Sequence, residues 1–219
     1  MSMRVEAELC AKFPGLSARV VRIRGVEVKR SDPELEEFKA EVIRRARERW
    51  TLDQLREHPL FRAYRDFFWR IGVDPTKIRP AAEALIRRVL RGRPPPRINT
   101  LVDAYNAASI DTAVALGAFD MDGLAGELVM REAVEGEEFL GIGMDDPVVL
   151  RGGEAVVADE EKLIAVYPYR DAEACKVTEG TVNVLMLVCG VPNIGEATLE
   201  RTGRIAVEYV TRFCGGTET

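Results

Sequence analysis

Asn99-Thr100-Leu101-Val102-Asp103-Ala104-Tyr105-Asn106-Ala107-Ala108-Ser109-Ile110 begins the stretch, ending near Glu137, that decides the fold. Asn99 and Thr100 can each accept a backbone N–H bond at a helix start. The helix predicted from there to about Leu116 is apolar on nearly every side, so it belongs in an interior rather than on a surface. Asp103 and Asn106 share a face of it. A buried carboxylate needs a charged or multiply donating partner, and Arg131, placed mid-strand in Glu127-Leu128-Val129-Met130-Arg131, is the partner expected for Asp103 or Asp120. After Gly117, Ala118-Phe119-Asp120-Met121-Asp122-Gly123 reads as a strand end running into a turn.

Outward from this stretch the chain divides in character. Upstream, residues 3–9 read as a short strand and 18–28 as a strand with an irregularity at Gly25. Helices follow over Pro33–Trp50, from a Thr51–Gln54 capping box, from Pro59 to Gly72, and over Arg79–Leu90. Arg93-Pro94-Pro95-Pro96-Arg97 is a stiff extended linker. Downstream, 127–134, 139–142, 148–150, 155–158 and 163–167 are short turn-bounded strands. The apolar run Thr181–Cys189 suits a central strand, and a closing helix spans Gly195 to about Phe213. Helices segregated ahead of strands predict an α+β fold: an N-terminal helical segment, then a mixed, mostly antiparallel sheet around a buried central helix, closed by a C-terminal helix. The expectation is one domain over 1–219, with N-terminal strands and basic helices in 1–97 and the pocket-bearing core in 98–219.

The ordered set Asn-x-Leu-Val-Asp-x-x-Asn, Phe-Asp-x-Asp-x-Leu-x-Gly and Leu-x-x-Arg-x-Ala-x-x-Gly-Glu resembles the tRNA-binding and editing domain (B-three/B-four) of the bacterial phenylalanyl-tRNA synthetase beta subunit, and more closely its stand-alone relatives. Those relatives carry a basic helical segment before the buried helix and an Arg-Asp pair followed by a threonine-rich strand after it. Here these are Arg170-Asp171 and the segment from Lys176 to Leu185, and the resemblance covers about 61–190. The synthetase domain hydrolyses tyrosine wrongly attached to the phenylalanine tRNA, so the resemblance implies aminoacyl-tRNA binding or editing in trans. Asn99, Asp103, Asn106, Asp120, Arg131 and Glu137 carry over as scaffold or pocket wall. The chain departs from the pattern at Gly117, where the synthetase often has histidine, and at Leu187, where it has glutamate.

Composition narrows the rest. A 47% hydrophobic and 31% charged chain of 219 residues can bury a substantial core. No apolar run approaches a membrane span, and Met1-Ser2-Met3-Arg4 begins no export signal, so a cytoplasmic location with reduced Cys10, Cys175, Cys189 and Cys214 is expected. A single histidine, His58, and scattered cysteines leave no zinc-ligand pattern; neither a metal nor a cofactor is expected. The net charge of −5 is unevenly spread. Between Phe61 and Arg97, ten cations against three anions leave +7, which puts −12 on the remainder. That basic stripe, interleaved with Tyr64, Phe67, Phe68 and Trp69, suits a phosphate backbone through Arg62, Arg65, Arg70, Arg87, Arg88 and Arg91, or is simply a solvated face paired with acids elsewhere.

The candidate pocket residues are Asn106, Asp120, Arg131, Arg170, Asp171 and Thr178, with Asp103, Asn99 and Glu137 as a supporting polar network; no catalytic side chain is assigned. Each has a structural alternative: a turn salt bridge for Arg170 and Asp171, strand propensity for Thr178 and Thr181, a helix-to-sheet lock for Asp103, Asn106 and Arg131. The function expected is an aminoacyl-tRNA-binding protein that acts in trans as an editing deacylase, hydrolysing a mischarged aminoacyl-tRNA ester, with tRNA as partner. The alternatives are a protein that uses the same pocket for a free amino acid or metabolite, and a partner-binding module built on the aromatic third helix.

Overall fold

The computed structural model describes residues 3–219; Met1 and Ser2, the first residues of the segment inspected for an export signal, lie outside them. In chain order the elements are β1 (Met3–Val5), α1 (Ala7–Lys12), β2 (Ala18–Arg24), α2 (Pro33–Arg49), α3 (Gln54–Glu57), α4 (Pro59–Arg70), α5 (Ala81–Leu90), α6 (Thr100–Thr112), β3 (Ala115–Asp120), β4 (Leu128–Glu132), β5 (Glu138–Phe139), β6 (Val148–Val149), β7 (Ala155–Ala158), β8 (Leu163–Val166), β9 (Arg170–Asp171), β10 (Asn183–Cys189), α7 (Glu196–Cys214) and β11 (Thr217–Glu218). The fold is α+β.

Local chemistry sets the helix starts. The Asp32 carboxylate accepts the Leu35 N–H at 3.1 Å, and Pro33 fills the first turn of α2. Thr51 and Gln54 exchange bonds of 2.8 and 3.2 Å, each side chain capping the other's backbone. His58 caps α4 through Nδ1 and packs edge-on against Trp50. Asn99 caps α6 by accepting the Val102 N–H at 2.9 Å. Phe61, Tyr64, Phe67 and Phe68 all turn inward from α4. At ~1.5–3 kcal/mol per large apolar side chain removed from water, that face is committed to the core. Only Trp69, 57% exposed, remains of the aromatic series beside the arginines.

Helix α6 is the buried element expected, with Leu101, Ala104, Ala107, Ala108 and Ile110 all enclosed. It packs against α2, α5, α7 and β3, and its alanines let those backbones approach closely. The helix ends at Thr112, not near Leu116. Ala113 adopts a left-handed φ of 62°, the Thr112 hydroxyl donates back to the Ala108 carbonyl, and the Ser109 hydroxyl donates to the Val114 carbonyl. That early stop frees Ala115–Asp120 to become β3.

Two sheets result. One runs β11-β2-β10-β3, all antiparallel, with β10 at its centre as expected from its apolar run. The other runs β1-β4-β7-β8-β9, with β1 parallel to β4 and the rest antiparallel. The short pair β5–β6 stands apart. The strands before Pro33 thus sit beside β4 and β10 from later in the chain, and β11, after Phe213, adds to the outer edge of β2. Helix α7 covers β2 and β10, and a Cβ at Gly203 would meet Val21 at 3.3 Å, which is why glycine stands at that crossing. The edge strands β3 and β9 come together, and the site lies at their junction.

Candidate functional site

Strand β8 ends at Val166, and the chain reverses through a cis Tyr167–Pro168 peptide into β9. Register pairs Ala165 with Asp171 and Val166 with Arg170. Side chains alternate along a strand, so Asp171 points to the Ala165 side and Arg170 to the other. On the facing sheet Leu187 pairs with Gly117. The Asp171 carboxylate stands directly over Gly117: a Cβ there would lie 3.1 Å from both of its oxygens. Glycine at 117 is therefore what leaves room for the acid.

The acid lines a cavity of about 70 Å³ with Leu116, Gly117, Ala165, Tyr167, Leu187 and Cys189, and Pro168 and Tyr169 on one side. Its carboxylate makes no hydrogen bond or ion pair with any described residue. Burial pushes its pKa up to about 7, and the neighbouring Arg170 charge offsets this only in part. Burial also raises Cys189 and Tyr105, and the Asp171 charge adds to both shifts. The thiol and the phenol therefore stay protonated at neutral pH, and Asp171 is the titrating group of the cavity. Two buried tyrosines fix its walls. Tyr64 donates to the Cys189 carbonyl and accepts from the Ala115 N–H at 3.0 Å, and Tyr167 donates to the Gly190 carbonyl at 2.6 Å. The ends of β3 and β10 are thus held whether or not anything occupies the space between them.

Residues 63–217 match the B3/4 domain family, a span that contains every residue of this cavity. The chain belongs to that family. Its sequence is similar to phenylalanine–tRNA ligase beta subunits: 34% identical over 92 residues to that of Fusobacterium nucleatum, and 27% over 139 residues to that of Cutibacterium acnes. Those matches take in 42% and 64% of this chain but only 11% and 16% of the relatives, so the chain corresponds to a small part of each. The fold is shared with an N-terminal fragment of the phenylalanyl-tRNA synthetase beta subunit from Pyrococcus horikoshii, with a TM-score of 0.53 at 15% identity, covering 99% of this chain and 50% of the fragment.

Within this B3/4 domain the other anticipated residues are dispersed. Arg131 partners neither Asp103 nor Asp120. It forms a bidentate pair with Glu137 at 2.6 and 2.8 Å, because both side chains project from the same side of the β4–β5 connection. The pair raises the Arg131 pKa and lowers that of Glu137. Asp103 is buried against Lys39 at 2.5 Å, and Lys39 also reaches Glu36 at 2.7 Å. Asn106 borders a small crevice beside that pair and shares no lining with the Asp171 cavity. Asp120 accepts the Thr181 hydroxyl at 2.6 Å, and Thr178 closes the turn before β10. Arg170 lies over Gly141 and donates to the Ile142 carbonyl at 3.1 Å. Of the named residues, only Asp171 faces the cavity.

The arginines also differ from one another. Arg65 and Arg87 clamp Glu83, which is completely buried. Arg70 donates to the Lys12 carbonyl and lies over the Phe13 ring, and Arg88 donates to the Pro94 carbonyl. Arg62 and Arg91 are exposed, with no side-chain partner among the described residues. Tyr167, Tyr169 and Cys189 line the cavity and were not anticipated as site residues. They stand on a turn and a strand whose approach is set by tertiary pairing, and no local motif marks them. Among the described residues no cluster of three or more His, Cys, Asp or Glu could hold a metal, and no helix is long and apolar enough to cross a membrane. All four cysteines are free.

Proposed function

We propose that this B3/4 domain binds the aminoacyl end of a transfer RNA and hydrolyses the ester in trans, with Asp171 holding the α-ammonium. The supporting observation is the half-buried Asp171 carboxylate, which lines a small cavity and has no hydrogen-bond or ion-pair partner among the described residues. A cation is the ligand group such a carboxylate lacks, and every aminoacyl ester carries one beside its carbonyl. Anchoring the ammonium fixes the ester carbon two bonds away, and orientation of that kind can supply much of a hydrolytic rate. The cavity beyond the acid holds several times the space one water needs. Its volume of about 70 Å³ and its apolar Leu116, Ala165 and Leu187 walls suit a small aliphatic amino acid better than tyrosine.

The test is deacylation of a panel of mischarged transfer RNAs, with Asp171→Asn in parallel. Hydrolysis of esters of small aliphatic amino acids, lost in the variant, is the expected result; no cleavage of any ester removes the enzymatic part. A second reading, binding of a free amino acid, is favoured by the same ammonium-sized gap and by the overall −5 charge. It expects a thermal shift with free amino acids and none with tRNA. In both cases a Gly117→Leu variant fills the space under Asp171. It should remain folded by circular dichroism yet lose at least about tenfold in ligand affinity, since over-filling a packed site excludes its occupant. Unchanged affinity would place the ligand elsewhere.

A further inference from the structure

Tyr169 borders two spaces: the Asp171 cavity, and a groove of about 580 Å³ between the α4–α5 connection and the Arg151–Glu154 turn. Four cations and two carboxylates line this groove. Lys77 and Arg151 are exposed and have no side-chain partner among the described residues, whereas Lys12 is paired with Glu132. Arg70 spends one nitrogen on the Lys12 carbonyl at 2.7 Å and keeps its other donors. Asp74 is occupied by the Thr76 N–H and hydroxyl. Glu154 is different: Oε1 accepts the Arg151 N–H at 2.9 Å, but Oε2 is buried without a partner.

We propose that this groove carries the nucleotide end of the substrate, and that Lys77, Arg70 and Arg151, rather than the α5 arginines, make its phosphate contacts. The proposal rests on the aminoacyl reading of the Asp171 cavity. Unpaired cations call for acceptor-only oxygens, which phosphates supply. The orphaned Glu154 oxygen calls for a donor, which phosphate lacks at neutral pH and a ribose hydroxyl or base amino group provides. A nucleotide combines both, and a ligand with its amino acid beside Asp171 and its nucleotides in the groove passes the Tyr169 ring between them. A free amino acid would use the cavity and leave the groove untouched.

The test uses the full chain, a Lys77→Glu/Arg151→Glu double variant and Asp171→Asn, with three probes: an unacylated acceptor-stem minihelix ending in CCA, the same minihelix aminoacylated, and the methyl ester of the amino acid it carries. Both groove positions are exposed, so the double variant should fold, which circular dichroism checks. The expected result is minihelix binding weakened about tenfold or more at 0.1 M salt, with a log–log salt dependence shallower by roughly one per lost contact. Methyl ester turnover should be unchanged. A Glu154→Gln variant should weaken the minihelix while leaving that salt dependence intact. Minihelix binding unchanged in the double variant, while Asp171→Asn still abolishes methyl ester turnover, would overturn the groove and leave the cavity reading standing. Asp171→Asn without effect on either ester would instead remove the cavity reading, and the groove's role as its extension with it.

Discussion

Replacing Glu83 with alanine is expected to lower the unfolding free energy by about 3–5 kcal/mol, the usual cost of stripping one partner from a buried ion pair. For a chain of this size that corresponds to a melting temperature roughly 6–20 °C lower. Glu83 has no exposed surface. Arg65 grips it through two nitrogens at 2.8 and 2.7 Å, Arg87 adds a contact of 2.7 Å, and Arg79 stands at 3.8 Å. Arg65 also donates to the Leu55 and Arg56 carbonyls, so one guanidinium ties α3, α4 and α5 together. Without the carboxylate, the Arg65 and Arg87 charges, whose side chains are 20% and 13% exposed, would be left facing each other. Exposed Arg62→Ala and Arg91→Ala should shift stability by less than about 0.5 kcal/mol. Equal effects from Glu83→Ala and Arg62→Ala in urea titrations would refute the buried anchor. The same geometry recasts a test that the charge pattern alone suggests. Reversing the charge of Arg87 would disrupt α5 through the Glu83 pair, so a loss of tRNA binding in that variant would not locate a phosphate contact.

Features that depend on neighbours in sequence were legible before the structure. The Thr51–Gln54 capping box, the Asn99 cap, proline in the first turns of α2 and α4, and the apolar β10 core all form as the residues predict. Features that depend on which surfaces meet were not. Nothing local says that Asp103 will find Lys39, 64 residues away, or that Arg131 will turn to Glu137. A two-residue strand such as β9 has no period to detect, yet it carries Asp171. The overrun of α6 to Leu116 has a similar origin. An apolar helix running into an apolar strand shows no change of composition, and the stop lies in a left-handed Ala113 held by Ser109 and Thr112 hydroxyls. The departures from the family pattern at Gly117 and Leu187 were visible in sequence. Only the register of β3 against β10, and the approach of β9, shows that both border the same acid.

Asp171→Asn is expected to trade function for stability. Truncating one member of a buried charge pair costs about 2–5 kcal/mol, so kcat/KM for the aminoacyl ester should fall roughly 30- to 5,000-fold. The pH dependence carries the sign of the raised pKa. In the free protein Asp171 gains its charge as pH rises through about 7, so kcat/KM should climb over that range and decline once the substrate ammonium deprotonates, near pH ~8. Bound ammonium lowers the acid's pKa, so kcat should stay flat where kcat/KM still rises. A general base in the same position would instead impose the limb near 7 on kcat as well. Stability runs the other way. The folded state holds the proton more tightly than the unfolded chain, so the Asp171 contribution is fully present below about pH 4, the ordinary carboxylate range. It is lost as pH rises through about 7. At pH 8 the desolvated charge costs up to a few kcal/mol, reduced by the solvent that reaches this half-buried residue. Asparagine keeps the shape and carries no charge, so the variant should have the higher urea midpoint at pH 8, with the gap closing toward pH 4. A less stable variant at pH 8 would mean that the carboxylate has a partner in the folded protein, which would remove the reason for an ammonium to bind there.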